Sequence, residues 1–306
     1  MASKTFAQIG VLGLYTETPL HCGAEGGTGY VDLPVQRERH THYPVIPGST
    51  LKGVLRNELL EDLGEANVDL LFGAEEDKNA KRLGAAGSVS FGDGILVAFP
   101  IRSSGAPFHW VTCPFVLERV FRCLGADLTV SGPEKGQALS GGNQQGTVLL
   151  EEIALTKKSD PAFFGETSRG IKLLQSLLPQ DRSFEYTRRL FAEHLLIVTD
   201  ADFKELVETG TEILTRIKLN FLGTTNNLDK EKLPEEERNR PDSDYKGNLF
   251  VEEVVPPETL FLAPLRVGSQ AEALAETLKK ERVIRLGGDE TIGRGVTRAT
   301  FLKRAS

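Results

Sequence analysis

The stretch from His21 to Asn57, HCGAEGGTGYVDLPVQRERHTHYPVIPGSTLKGVLRN, gathers groups suited to holding and acting on a phosphate. Asp32 breaks an apolar run directly after a glycine-rich loop, so a carboxylate stands where the backbone can approach a ligand closely. Gln36, Arg37, Glu38, Arg39 and His40 then alternate donors and charges along a chain predicted to be extended, with Arg37 and Arg39 on one face. Ser49, Lys52 and Arg56 follow at the start of a predicted helix. Lys52 and Arg56, four apart, share a helix face, and the free N–H groups and dipole of a helix start favour an anion. Near the other end, IRLGGDETIGRG (284–295) holds Gly287, Gly288, Gly293, Arg294 and Gly295. Such a loop can turn its N–H groups onto a phosphate or onto another backbone.

An ATPase is excluded, and the common metal-site signatures are missing. Leu139-Ser140-Gly141-Gly142-Asn143-Gln144-Gln145 looks like the signature loop of an ABC ATPase, but the chain has no GxxxxGK[ST] segment to hold nucleotide phosphates. HExxH, paired CxxC and EF-hand patterns are also missing, and His40 and His42 have no third ligand near them in sequence. Cys22, Cys113 and Cys123 form no CxxC pair, which favours a reducing cytoplasm over a disulfide framework.

The elements that must position these groups are legible from periodicity and punctuation. Residues 6–15 read as a buried strand. Pro44 and Pro47 keep the chain before them extended. Ser49 or Thr50 caps a helix over 51–63 that Gly64 ends. Strands flank the Gly-Asp-Gly turn within 88–102, and helices follow at 112–124, 183–195, 201–216 and 271–282. A strand pair at 216–222 and 249–255 brackets residues 223–248, whose charge and near lack of large apolar residues predict a solvated, disordered tip. Strands and helices in mixed order favour an α+β fold over a doubly wound sheet.

The 306 residues are 40% apolar and 26% charged, typical of a soluble globular protein. No apolar run is long enough to span a bilayer, and MASKTFAQIGVLGLY lacks a basic region followed by a long apolar stretch, which speaks against secretion. Asp and Glu outnumber Lys and Arg by 43 to 36, a net charge of −7 that on its face argues against nucleic acid. The distribution answers that objection. Residues 201–260 hold fourteen acids and eight bases, whereas residues 261–306 hold five acids and nine bases. A local cationic surface survives an acidic total.

Taken together, these segments resemble the multi-copy backbone subunit of the type III-B CRISPR effector, the Cmr complex, in the RAMP superfamily. The likeness runs through LYTETPLH (14–21), VDLPVQRERHT (31–41), YPVIPGS (43–49) and LKGVLR (51–56). It continues through LFG (71–73), FPIRS (99–103), VTCP (111–114), Glu151-Glu152, RIKLN (216–220), LFVEE (249–253) and the glycine loop at 287–295. It implies one RAMP domain over 1–306: an RRM-like (ferredoxin-like) palm, inserted finger elements, and a thumb β-hairpin at about 216–255 with a flexible charged insert at 223–248. It also implies head-to-tail copies along a guide CRISPR RNA, the company of other Cmr subunits, a cytoplasmic setting without membrane, and cuts at regular intervals in paired target RNA.

Under the same resemblance, Asp32 corresponds to the family's catalytic aspartate, as general base or as ligand of a divalent metal ion such as Mg2+ or Mn2+. His21 and Glu252 correspond to residues near the cut. Guide binding falls to Arg37, Arg39, His40, Ser49, Lys52, Arg56 and the loop carrying Gly287, Gly288, Gly293, Arg294 and Gly295. Two RNA-binding alternatives stand beside this reading, a non-catalytic scaffold and a RAMP endonuclease that processes guide precursors. A third is a protein-interaction subunit that touches no RNA.

Overall fold

A computed structural model describes residues 7–24, 29–74, 84–141, 146–268, 276–278 and 280–303. Its centre is the strand Ala7–Thr16, whose Val11, Leu12, Leu14 and Tyr15 are all buried, as befits a strand covered on both faces. Leu260–Val267 pairs antiparallel on one side of it and Val296–Lys303 on the other. Helix Arg169–Leu177 lies against the centre so closely that a Cβ on Gly13 would sit 2.1 Å from the Leu177 carbonyl oxygen.

Twelve strands join this sheet among the described residues. One edge is Arg282–Arg285, paired with Val296–Lys303. Beyond Leu260–Val267 come Gly94–Arg102, Phe108–Thr112, Leu195–Ile197, Gln137–Ser140, Ile153–Ser159 and Gly146–Leu150. Leu195–Ile197 runs parallel to Phe108–Thr112, and Ile153–Ser159 parallel to Gln137–Ser140, while the pairs around Ala7–Thr16 are antiparallel. The sheet is therefore mixed and the fold mixed α and β. Helix Pro114–Leu124 begins with proline, ends at left-handed Gly125, and buries Val116, Leu117, Val120, Phe121 and Leu124 at helical spacing.

Several boundaries differ from the sequence reading. The first helix starts at Gly48, not after a Ser49 or Thr50 cap, and breaks at Leu59 into Gly48–Glu58 and Leu60–Leu63. The helix predicted over 201–216 is two elements, helix Asp200–Thr209 and strand Glu212–Lys218. Thr199 caps the helix through the Asp202 N–H, and the alternation of Ile213, Thr215 and Ile217 carries the strand. That strand pairs antiparallel with Asn248–Val254, so the hairpin exists but its first strand lies four residues earlier than predicted. Residues 282–285 are strand rather than the end of a helix 271–282, most of which, like Gly142–Gln145, lies outside the described residues.

Residues 219–247 are not structureless. Three 3-10 turns, at Lys230–Lys232, Glu235–Glu237 and Asp242–Tyr245, surround a buried Tyr245. Its hydroxyl donates to the Glu237 carbonyl at 2.6 Å, and its ring meets Phe221 edge to face. The Asn220 side chain, also buried, bonds Thr224 and the Asn226 carbonyl. Among the described residues, no helix is long and apolar enough to cross a membrane.

Candidate functional site

Strand Asn248–Val254 organises the site along one edge. Val251 offers its N–H to Asp32 Oδ2 at 2.8 Å, and its carbonyl accepts from the Asp32 and Leu33 N–H groups at 3.0 and 3.1 Å. Asp32 is exposed, and among the described residues its second oxygen has no partner. Two residues along the same strand, the Glu253 carbonyl contacts His21 Nδ1 at 2.8 Å. A carbonyl only accepts, so His21 carries a proton on Nδ1 and leaves Nε2 as its working nitrogen.

Behind the imidazole lies a knot of charge. Glu252 is 1% exposed, and its Oε2 accepts from Arg216 at 3.0 Å and from Arg294. Arg216 also bonds Asp289, which lies 3.7 Å from Arg294. Burial works against the Asp289 charge, but the hydrogen bond from Arg216 and the charges of both arginines hold its carboxyl below the usual range. Glu252 Oε1 is buried without a hydrogen bond, 3.7 Å from His21 Nδ1. Hairpin, glycine loop and His21 therefore meet at one point. Arg216 and Asp289 were not singled out from sequence; a charged residue inside a strand, as at Arg216 and Glu252, was the available signal.

The glycine loop closes onto backbone rather than opening to an anion. Gly288 N–H donates to the His21 carbonyl, Gly295 N–H to the Pro19 carbonyl, and Leu286 N–H to the Gly295 carbonyl, each at 2.9 Å. Gly287 has a left-handed φ of 79°, and a Cβ there would meet the His21 carbonyl oxygen at 2.2 Å. Gly293 and Gly295 are likewise left-handed.

The remaining basic candidates divide. Instead of alternating along an extended chain, residues 38–42 form a turn closed by the His42 N–H on the Glu38 carbonyl. Arg37 turns inward, reaching Glu253 at 2.6 Å, Thr211 at 3.2 Å and the His42 carbonyl at 2.7 Å. Burial opposes ionisation of Glu253, yet Arg37 and Thr211 keep its carboxyl below the usual range. Arg39 and His40 stand exposed on the turn, with His40 3.9 Å from Glu38. The helix start predicted to take a phosphate already holds an anion, because Asp93 Oδ1 accepts from Gly48 N–H at 2.8 Å. Ser49 is exposed beside it, and Lys52 has no ion-pair partner among the described residues. Arg56 is bound to Asp69 at 2.6 Å and to the Gly73 carbonyl.

Among the described residues, no group of three or more His, Cys, Asp or Glu side chains could hold a metal ion. Asp32 alone does not fit a resident divalent cation.

A sequence model described as "RAMPs: RAMP superfamily" matches residues 14–298. The "CRISPR system Cmr endoribonuclease Cmr4" of Pyrococcus furiosus is 31% identical over 312 residues, covering 95% of both chains. The "CRISPR system CMR subunit Cmr4" of Saccharolobus solfataricus is 27% identical, covering 92% of this chain and 93% of the other. A crystal structure of oligomeric Cmr4 from Pyrococcus furiosus superposes with a TM-score of 0.66 at 26% identity, over 97% of this chain and 99% of that one. A match from inside the first strand to inside the last, with a relative above 30% identity over nearly the full length, makes this chain a member of the RAMP superfamily on its Cmr4 branch.

Proposed function

We propose that this chain is the RNA-cleaving backbone subunit of a type III-B CRISPR Cmr effector. Asp32 is its catalytic aspartate, and guide and target RNA are its ligands. The observation that carries the reading is an exposed carboxylate fixed by backbone bonds on the same strand edge as His21 and one residue from the Glu252 knot. Cleavage by the RNA's own 2′-hydroxyl needs proton removal and in-line geometry. Asp32 suits the first, and the rigid strand beneath it holds the second. The Pyrococcus furiosus relative carries the name endoribonuclease and was crystallised as an oligomer.

The finer architecture belongs to the same proposal. The sheet around Ala7–Thr16 serves as an RRM-like palm of one RAMP domain, and the hairpin from Glu212 to Val254 is a thumb that enters the guide–target duplex. Copies stack head to tail along the guide, as a heterologous, non-closing contact allows, beside other Cmr subunits in the cytoplasm. Arg39, His40, Ser49 and Lys52 face the RNA backbone, while Arg37, Arg56 and Arg294 position the elements that present them. For Mg2+ or Mn2+ this chain supplies one carboxylate; further ligands would come from RNA phosphates and water.

Asp32→Asn keeps the hydrogen bond from Val251 with little change of shape. In the assembled ribonucleoprotein it is expected to retain guide RNA and to cut target at least about 100-fold more slowly. Undiminished cutting at wild-type assembly refutes the assignment and leaves the scaffold reading.

A further inference from the structure

Resting on that guide-binding and cleavage reading, we propose that Arg119 and Glu253 are positioning residues that set which target phosphate is cut. They clamp residues 32–42, which carry Asp32 near one end and the guide contacts Arg39 and His40 near the other. Neither clamp need touch RNA: Glu253 acts through Arg37, and Arg119 through Glu38.

Four observations carry the assignment. First, backbone pairing between residues 32–35 and strand Asn248–Val254 runs out partway. Asp32 and Leu33 give their N–H groups to Val251, and the Leu33 carbonyl takes the Glu253 N–H at 3.0 Å. Pro34 has no N–H to offer, and the Glu253 carboxylate continues the ladder. Its Oε2 accepts from the Val35 N–H at 3.0 Å and its Oε1 from Arg37 at 2.6 Å. Second, a different element grips the next residue. Arg119, on helix Pro114–Leu124, donates to both oxygens of Glu38, at 2.6 and 2.9 Å. Such a planar fork fixes orientation as well as distance. Burial opposes ionisation of Glu38, yet Arg119 and the Thr41 hydroxyl keep its carboxyl below the usual range. Third, the turn between the clamps is imposed on the chain. His42 holds a left-handed φ of 63°, which a non-glycine residue keeps where its surroundings over-determine it. Here its N–H bonds the Glu38 carbonyl and its own carbonyl takes Arg37 at 2.7 Å. Fourth, the side chains of Arg37, Glu38, Arg119 and Glu253 are at most 19% exposed, whereas Arg39 and His40 stand outside. The clamp charges are spent on one another, and the turn shows RNA only its two outer cations.

In-line attack tolerates little displacement, a misplacement of about 1 Å costing on the order of 100-fold. The spacing between a guide contact and the proton acceptor therefore decides which phosphate is competent. Loosening either clamp lets the adjoining phosphates compete.

The test uses the assembled complex and a 5′-labelled target RNA whose products are sized to the single nucleotide. Wild type is expected to give one length at each cut position. Arg119→Ala and Arg37→Ala are expected to retain guide RNA and to cut the normal phosphate at least about tenfold more slowly, with at least about a tenth of cuts on adjoining phosphates. Guide retention in both should keep the wild-type salt slope, since neither guanidinium meets a phosphate. Arg119→Lys, which keeps the charge without the fork, should give an intermediate share of shifted cuts. Assembled variants whose products all keep the wild-type lengths overturn the proposal, because a role confined to stability lowers the yield of complex and leaves the cut in place. A slope lowered by about one in Arg37→Ala overturns it too, making Arg37 a phosphate ligand. Where one alanine variant fails to assemble, the other is read alone. Wild-type complex that cuts no target refutes the cleavage reading itself.

Discussion

Arg37, Arg56 and Arg294 carry charge that the sequence offers to a phosphate, and each is held by a carboxylate of its own chain: Glu253, Asp69 and Glu252. Sequence spacing shows Lys52 and Arg56 on one helix face, but it does not show that Asp69 lies within reach of one of them. The two residues therefore have different mutant phenotypes. Lys52→Ala is expected to weaken guide retention for every guide sequence and to lower the salt-dependence slope by about one, measured by binding at several salt concentrations. Arg56→Ala should leave that slope unchanged and lower stability by about 1–3 kcal/mol, read as a lower Tm. The exposure of Asp32 was legible because a carboxylate that breaks an apolar run after a glycine-rich loop stays at the surface. The Arg216–Glu252–Arg294–Asp289 knot was not, because its members are scattered between positions 216 and 294 and each alone looks like a solvated charge.

Elements were legible where one period persisted without interruption. Ala7–Thr16 and Pro114–Leu124 match their predictions within two residues, since a continuous apolar strand and a proline-started, glycine-ended helix have local causes. Residues 201–216 were misread because acidic and apolar residues around Gly210 fit a helical period until the alternation of Ile213, Thr215 and Ile217 is weighed. Composition likewise hides the order within 219–247, where one tyrosine and one phenylalanine hold many charged neighbours. Arg240 lies over the Phe221 ring at 4.5 Å and Lys230 over Tyr245 at 4.5 Å. Tyr245→Ala removes the centre of that arrangement, and limited proteolysis should then cut within 224–246 at least about tenfold faster, with global Tm nearly unchanged. Loss of the whole cooperative transition in that variant would show instead that the insert is part of the main core.

At the scale of the molecule, Glu258 couples three strands. It has a left-handed φ of 68°, accepts from the Tyr15 hydroxyl, and offers its carbonyl to Trp110 Nε1 at 2.7 Å. Burial pushes its carboxyl up from 4.5 to about 7. Between those values the folded chain keeps a proton that the unfolded chain has released, so stability declines as pH rises through about 4.5 to 7 and stays lower above it. Glu258→Gln should erase this decline. Relative to wild type it is expected to gain up to about 3 kcal/mol at pH 8 and nothing at pH 4, measured by thermal or denaturant unfolding at both pH values. The internal pairs leave the overall charge of −7 untouched, since Glu252, Glu253 and Asp289 are matched by Arg37, Arg216 and Arg294 and equal numbers of acids and bases withdraw from the surface.

The hairpin's inner end is tied to the rest of the chain by Arg294 on Glu252 and Arg37 on Glu253, while its outer end folds around its own tyrosine. Anchored at one end and self-contained at the other, the tip behaves as a cassette. Its length can change between Leu219 and Gly247 at an entropic cost of only about 0.6 kcal/mol per doubling, without displacing Asp32 or His21. The tip can thus be lengthened, trimmed or exchanged for a foreign loop while the strand edge that carries Asp32 and His21 keeps its geometry.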